Sequence, residues 1–353
     1  MKLTEAGMPP APRPRPVLRA RLDAVAREAG VSLATVDRAL NRRPGVSTRT
    51  LQRVQAAASL LAMRSDAATA AQPRERCWLL CFLLPTGAGP FVAQVREALQ
   101  ALAPWLAAQQ TRVDVRTTDA AAPAAAAAAV RRLRGQYDAV VLMLADAPAV
   151  RDAVARMAGD GTCVITLASD IAAAARQHFV GIDHQAAGRT AAALLSRSLA
   201  GRAGQIGILL GSPALLGQAQ RLAGFQERMA PEQDRLELLA PRVSGGRPEL
   251  ARALLAQLRA EQPALVGLYS IEAGDDGLHG ALQGSGLAWV CHELTPHTRA
   301  ALQDGTASAV IGQSAAQQTQ LACRWALARL ARQAPPADAT PPRIEIYLKD
   351  NLP

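Results

Sequence analysis

Aromatic residues make up only 3% of the 353-residue chain, so any ligand cleft it forms has little ring surface to offer. Cysteine is also sparse. Its five copies, Cys77, Cys81, Cys163, Cys291 and Cys323, are an odd number set mostly in apolar, strand-like runs. Cys77 and Cys81 stand close together without histidine or further cysteine nearby, which argues against a metal site and for reduced core residues of a cytoplasmic protein. No apolar run approaches the length of about 18 residues that a membrane span needs, and the first residues lack the apolar core of a signal peptide. Enzyme signatures are missing as well. GSPALLG (Gly211–Gly217) has no lysine and hydroxyl at P-loop spacing, and GAGPF (Gly87–Phe91) stops short of the full dinucleotide-binding pattern. No G-x-S-x-G elbow and no histidine–cysteine cluster with metal spacing occurs. Catalytic residues, cofactors and metals are therefore not expected.

What the chain does have is charge in one place. Residues 1–76 carry 14 basic and 6 acidic side chains, so +8 of the formal net charge of +10 lies there. A compact basic region on a nearly neutral body is the footprint of a nucleic-acid reader with a separate second task. A solvated basic tail is the plainer alternative, and the local pattern decides against it. Leu22, Val25, Ala26 and Ala29 share one helical face. Gly30 then stops that helix, because glycine enters the left-handed conformation at little cost. Ser32 can cap a second helix whose inner face is Val36, Ala39 and Leu40. Two helices joined by so short a turn form a helix-turn-helix, whose second helix enters the DNA major groove. Pro44 and Gly45 make a further turn, and Ser47 caps a third helix carrying Leu51, Val54, Ala58 and Leu61.

The runs VAREAGVS (Val25–Ser32), TVDRALN (Thr35–Asn41) and PGVS (Pro44–Ser47) closely resemble the headpiece of the LacI/GalR family of bacterial transcription regulators. The resemblance implies that Leu33 and Ala34 are the base-discriminating pair and that Arg38 reads guanine. A guanidinium donates two parallel bonds to guanine O6 and N7, so the chemistry agrees. Asp37 replaces the serine common in the family; it can accept from a cytosine amino group or hold Arg38 or Arg42 in position. Ser32, Thr35 and Ser47 complete the exposed DNA-facing set, while Arg42, Arg43, Arg49 and Arg53 suit phosphates. Residues 1–20, rich in proline and arginine, are expected to be a disordered arm. Residues 21–62 are the headpiece and 63–76 a linker that forms a hinge helix in the family. Ala71 stands where the family has a wedge leucine, and Asp66 where a basic or neutral residue is usual, so a strong DNA bend is not expected.

From Cys77 onward, short apolar runs alternate with alanine-rich helical stretches, starting with the continuous run CWLLCFLL (Cys77–Leu84). Strands alternating with crossover helices give parallel sheets covered on both faces, and two such series give two doubly wound α/β subdomains. Ligands bind such sheets at the carboxyl ends of their strands. VGIDHQAAGRTAAALL (Val180–Leu195), QRLAGF (Gln220–Phe225), HELTPHTRAAL (His292–Leu302), AVIGQ (Ala309–Gln313) and DNLP (Asp350–Pro353) resemble the type I periplasmic-binding-protein-like domain of the same family. The resemblance implies crossings near Asp183, Gln313 and Pro335–Pro342, hence one subdomain of about 77–182 with 314–334 and another of about 183–313 with 335–353.

It also implies an effector site. Arg221 matches the arginine that holds ligand hydroxyls or a carboxylate, Glu293 an acidic position accepting from sugar hydroxyls, and Gln313 a glutamine shared by ligand and hinge. Each has a plainer reading as a surface side chain. Ser169 and Asp170 follow a strand and should reach the cleft, Phe91 can stack on a ligand face, and one of Ser270 and Asp275 should enter. The expectation is a cytoplasmic, homodimeric regulator, most often a repressor, that binds pseudo-palindromic double-stranded operator DNA and no membrane. A small polar effector, a sugar or sugar derivative, controls it from between the subdomains. A solute-binding receptor without regulatory role and an enzyme on a doubly wound scaffold are the alternatives, opposed by the headpiece and by the missing motifs.

Overall fold

The computed structural model describes residues 24–40, 46–47, 49–54, 56–57, 77–86, 89–120, 122–171, 176–336 and 340–353. The chain divides into two compact units, Met1–Arg76 and Cys77–Pro353. The basic arm, Arg42, Arg43 and the linker with Asp66 and Ala71 lie outside the described residues.

In the smaller unit, helix α1 (24–29) ends in the glycine-terminated motif read from the sequence. Gly30 has φ of 63°; its N–H donates to the Arg27 carbonyl at 3.2 Å, and Val31 N–H reaches back to Ala26 at 3.0 Å. That pairing satisfies carbonyls that the helix itself leaves open. Helix α2 (Leu33–Leu40) starts where Ser32 Oγ accepts the Thr35 N–H at 3.2 Å. Helix α3 (helical over 49–54 and 56–57) starts where Ser47 Oγ accepts the Thr50 N–H at 3.2 Å. Val25, Ala26, Ala29, Val36, Ala39, Val54 and Ala57 form the core of the three helices.

The larger unit holds two sheets. The first is five-stranded and wholly parallel, in the order β2 (Thr111–Thr118), β1 (Trp78–Pro85), β3 (Ala139–Leu142), β4 (Cys163–Leu167), β5 (His178–Val180). Helices cover both faces, which is why β1 reads as unbroken apolar sequence rather than as alternation. Leu80, Phe82 and Leu84 enter one core layer with α4 (Pro90–Ala108), while Cys81 and Leu83 enter the other with α5 (Pro123–Leu133) and α6 (Pro148–Gly159).

After β5 the chain crosses to a seven-stranded sheet. Its main path runs β12 (Ile344–Tyr347), β11 (Ala309–Gln313), β10 (Ala288–His292), β9 (Leu265–Ile271), β6 (Gly204–Leu210), β7 (Leu236–Leu238), with the short β8 (Arg242–Val243) also paired to β6. α7 (His184–Ser198) and α8 (Leu216–Met229) pack on one face; α9 (Pro248–Glu261), α10 (His279–Leu282) and α11 (Pro296–Gln303) belong to the other. After β11 the chain returns, as α12 (Ala315–Leu330), to pack on α4, β4 and β5 of the first sheet. It then crosses once more to lay β12 antiparallel on β11.

α7 starts at His184 because Asp183 accepts the Ala186 N–H at 2.8 Å and caps it. Between β9 and β10 the chain forms a 3-10 turn, Asp275–Gly277, followed by the short α10. β8, two residues long with Val243 exposed, leaves no periodicity to read in the sequence.

Candidate ligand cleft and DNA-facing helix

The carboxyl ends of both sheets open on one cavity of about 400 Å³. The first sheet's side supplies Thr86, Phe91, Asp119 and Met143; the second supplies Gln218, Glu272, Asp275, Asp276, His292 and Glu293. Three of the strand ends are strained. Ala168 after β4, Glu272 after β9 and Glu293 after β10 have φ of 56°, 50° and 67°. Side chains with a Cβ occupy that region only when their surroundings hold them there, at a cost of order 1–3 kcal/mol each, and such residues gather at functional sites.

What holds two of them is Arg221. Its α8 position is brought down on the sheet edge because α7 and α8 touch backbone to backbone. A Cβ on Gly188 would sit 1.9 Å from the Arg221 carbonyl oxygen, and one on Gly224 would sit 2.0 Å from that of Gln185. The guanidinium is buried, 1% exposed, and ion-paired through Nη1 with Glu272; Nη2 lies 3.7 Å from Glu293 Oε1. Gln218 Nε2 donates to Glu272 Oε2 at 2.9 Å. Glu293 Oε1 accepts from Gln313 Nε2 at 2.9 Å, and Gln313 Oε1 accepts from Gln318 Nε2 of α12 at 2.9 Å. A hydrogen-bonded chain thus runs from the cleft floor through the β11–α12 crossing into the other subdomain.

Burial sets the protonation of the floor. It pushes the Glu293 carboxyl up, against the pull of Arg221. It pushes Asp275 up to about 7, with the charges of Asp276 and Glu272 adding to the rise and the Ser270 hydroxyl opposing it. His184 is lowered to about 4 by burial and by Arg221, and His292 well below its ordinary value for the same reasons. Neutral His184 places Nε2 2.5 Å from the Ala168 carbonyl, which only accepts, so Nε2 carries the proton. That bond ties α7 to the first sheet across the crossing.

Of the sequence-derived effector residues, Phe91, Asp275 and Glu293 line the cavity. Arg221 and Gln313 stand behind the lining, holding carboxylates. Asp170 requires correction: Arg176, Thr166 and the Ile171 N–H saturate its carboxylate away from the cavity. Of Ser270 and Asp275 it is Asp275 that enters, while the buried Ser270 Oγ accepts the Trp289 indole N–H at 2.9 Å outside the lining. Ser169 is buried outside the lining, and its Oγ has no partner among the described residues. Sequence reasoning missed Glu272, Gln218 and His292; their signal is position alone, at or just past a strand's apolar run or one helical turn before Arg221. Gln313 and Glu293 also face a second hollow of about 470 Å³, shared with Glu97, Glu345 and Tyr347. It lies away from the strand ends of the first sheet.

On α2, Ala34 and Arg38 are exposed, and Leu33, Thr35 and Asp37 are half-buried. Ser32 and Thr35 hydroxyls bond one another at 2.9 Å, and Ser47 does the same with Thr50, so the two serines cap their helices and the two threonines brace the caps. Arg53 Nη2 donates to the Ala29 carbonyl at 2.6 Å, closing the end of α1, while the residue stays exposed.

A family model for the periplasmic binding protein domain matches residues 80–334, and one for bacterial regulatory proteins of the lacI family matches residues 21–63. The chain belongs to the periplasmic-binding-protein-domain family and carries the LacI/GalR architecture. It is a DNA-binding regulator with a small-molecule-binding domain, and both families are binding and regulatory, not catalytic. Among solved structures, an ABC transporter solute-binding protein from Agrobacterium vitis with bound D-fucose superposes with a TM-score of 0.71 at 19% identity, over 77% of this chain and 96% of that one. GanP, a glucose-galactose binding protein from Geobacillus stearothermophilus, gives 0.69 at 17%, over 79% and 100%. A solute-binding protein from Burkholderia graminis in complex with D-arabinose gives 0.69 at 19%, over 77% and 96%. At such identities the likeness is one of fold. The search of curated proteins found no match.

Proposed function

We propose that this regulator is a cytoplasmic, homodimeric repressor whose affinity for a pseudo-palindromic operator is set by a small polyhydroxyl effector, a sugar or sugar derivative. Residues 21–62 read DNA, 63–76 link, and 77–353 bind effector between subdomains of 77–182 with 314–334 and 183–313 with 335–353. Leu33, Ala34 and Arg38 read bases, with Arg42 and Arg43 on phosphates; Phe91, Glu293 and Asp275 meet effector, with Arg221 and Gln313 behind them. One observation carries the reading: a chain with a LacI headpiece also has a cavity of about 400 Å³ at the converging strand ends of two sheets, walled by carboxylates and an amide. An effector that binds the closed and open arrangements unequally shifts the headpieces of a dimer between DNA-competent and incompetent spacing. The ligands of the fold's solved relatives, D-arabinose and D-fucose among them, support a monosaccharide-sized compound.

The experiment is selection of bound sites from random DNA, then anisotropy of the selected operator against a sugar panel. A two-fold symmetric site whose affinity shifts with one or more sugars is the expected result. A chain that binds sugar while its DNA affinity never changes is instead a receptor. That second reading is the one favoured by the transporter relatives.

A further inference from the structure

Five carboxylates line the cleft, Asp119, Glu272, Asp275, Asp276 and Glu293, and no lysine or arginine stands among its described lining residues. The buried guanidinium of Arg221 is engaged beneath the floor by Glu272 and Glu293. Asp275 has the Ser270 hydroxyl beside it but no cation among its electrostatic neighbours. It is 7% exposed, it forms part of the cavity wall, and its Oδ1 has no hydrogen-bond partner among the described residues. Asp276, the next residue, also faces the cavity, with Thr295 Oγ1 3.4 Å from its Oδ1. A buried acceptor without a donor is costly, and a buried carboxylate without a cation more so. Neighbouring Glu272 and Asp276 add negative potential, and among the described lining residues no lysine or arginine offsets it at Asp275.

We propose that the compound bound in this cleft carries a protonated amine on its polyhydroxyl frame, an amino sugar or amino polyol, with the ammonium seated at Asp275 and Asp276. The inference rests on the reading of the cleft as the effector site. An ammonium offers only donors, three of them, to a wall that offers acceptors. It also supplies the positive charge that hydroxyl groups lack, in surroundings where a charge-assisted bond is stronger than a neutral one. Phe91 at the opposite wall gives the ring carbons an apolar face. A phosphorylated or carboxylated sugar is excluded by the same carboxylates.

The test is calorimetric titration of the full chain with matched pairs: D-glucosamine, D-galactosamine and D-mannosamine, each against its hydroxyl parent and its N-acetyl derivative. At least one amine should bind about tenfold or more tightly than both of its neutral counterparts, the size of one charge-assisted bond. Asp275→Asn should bring that ratio near one, and Asp276→Asn, a change at an exposed residue, should lower it even if the Asp275 variant fails to fold. Neutral parents that bind as well as or better than the amines overturn the charge assignment and leave the effector reading standing. If no sugar of either kind binds, both fall.

Discussion

At the scale of single residues, Arg221 is the side chain on which the cleft floor depends. Nothing else described lies between Glu272 and Glu293 to neutralise them. Arg221→Met keeps much of the volume and removes the charge, leaving two carboxylates without their cation; such losses cost about 3–5 kcal/mol. Urea unfolding should show a loss of that size. Adding Glu272→Gln and Glu293→Gln to the same variant should recover most of it, since the penalty comes from unpaired charge and not from a missing contact. If the triple variant is no more stable than Arg221→Met alone, the guanidinium acts by packing.

Asp275 makes a second prediction at this scale. Its folded pKa of about 7 lies above the ordinary carboxylate value, so the native state holds a proton that the unfolded chain releases. The native state then binds more protons, and stability falls as pH rises from the unfolded value through about 7, by at most about 1.4 kcal/mol per pH unit for one proton. His184 works the other way, since its folded pKa of about 4 makes stability rise as pH climbs from there to the ordinary histidine value. The two slopes oppose each other at acidic pH, and above the histidine range the raised carboxyls of Asp275 and Glu293 both lower stability as pH rises. Thermal melts from pH 6.5 to 8 should therefore decline, and Asp275→Asn should make the decline shallower, leaving the part that belongs to Glu293. An unchanged profile in that variant places the titrating group elsewhere.

At the scale of elements, the α7–α8 contact is what brings Arg221 to the sheet edge, and two glycines make it possible. Both stand in stretches that stood out in the sequence, Gly188 in HQAAGRT and Gly224 in QRLAGF. A methyl group at either one meets a backbone carbonyl oxygen of the other helix at 1.9 or 2.0 Å, and backbone, unlike a side-chain tip, has nowhere to turn. Gly188→Ala and Gly224→Ala should each destabilise the larger unit by at least the 1–3 kcal/mol or so of an overpacked core. Effector affinity should drop with them, because the spread helices lift Arg221 from Glu293. Gly280→Ala, on α10 with nothing near its added methyl, is the control.

The alternating elements were legible because buried parallel strands and their covering helices leave apolar runs of characteristic length. The cleft was only half legible. Phe91 and Asp275 could be placed from their position beside strand ends, and Glu293 from the family resemblance of its stretch, but the strained turn that aims Glu272 inward leaves no residue-type signal, since glutamate is unusual at positive φ. Asp170 and Ser270 looked equally well placed from the sequence, and only the nearby Arg176 and Trp289 take them out of the cleft. In the headpiece, charge pattern could not foresee that Arg53 also closes the end of α1 through the Ala29 carbonyl.

At the scale of the whole molecule, charge and specificity are separate properties and can be tested separately. The basic excess of +8 in residues 1–76 implies several phosphates neutralised per subunit, and counterions released on binding make affinity fall steeply with salt. If a dimer neutralises six to ten phosphates, affinity should fall by about 10³–10⁵ between roughly 50 and 200 mM salt. In the proposed reading base recognition falls to α2, where exposed Arg38 is a side chain able to grip guanine in two bonds. Arg38→Ala should therefore cost about 1–3 kcal/mol on the selected operator and relax preference at one base pair of each half-site. Its effect on unselected DNA should be small, and the salt slope should change by no more than one charge's worth. Arg49→Ala, an exposed arginine at the start of α3, should do the reverse, weakening all sequences alike and lowering the slope by about 1. Anisotropy titrations of the selected and a scrambled duplex at four salt concentrations separate the two. If Arg38→Ala weakens both duplexes by the same factor, recognition lies in the other residues of α2, and Arg38 is a phosphate contact like its neighbours.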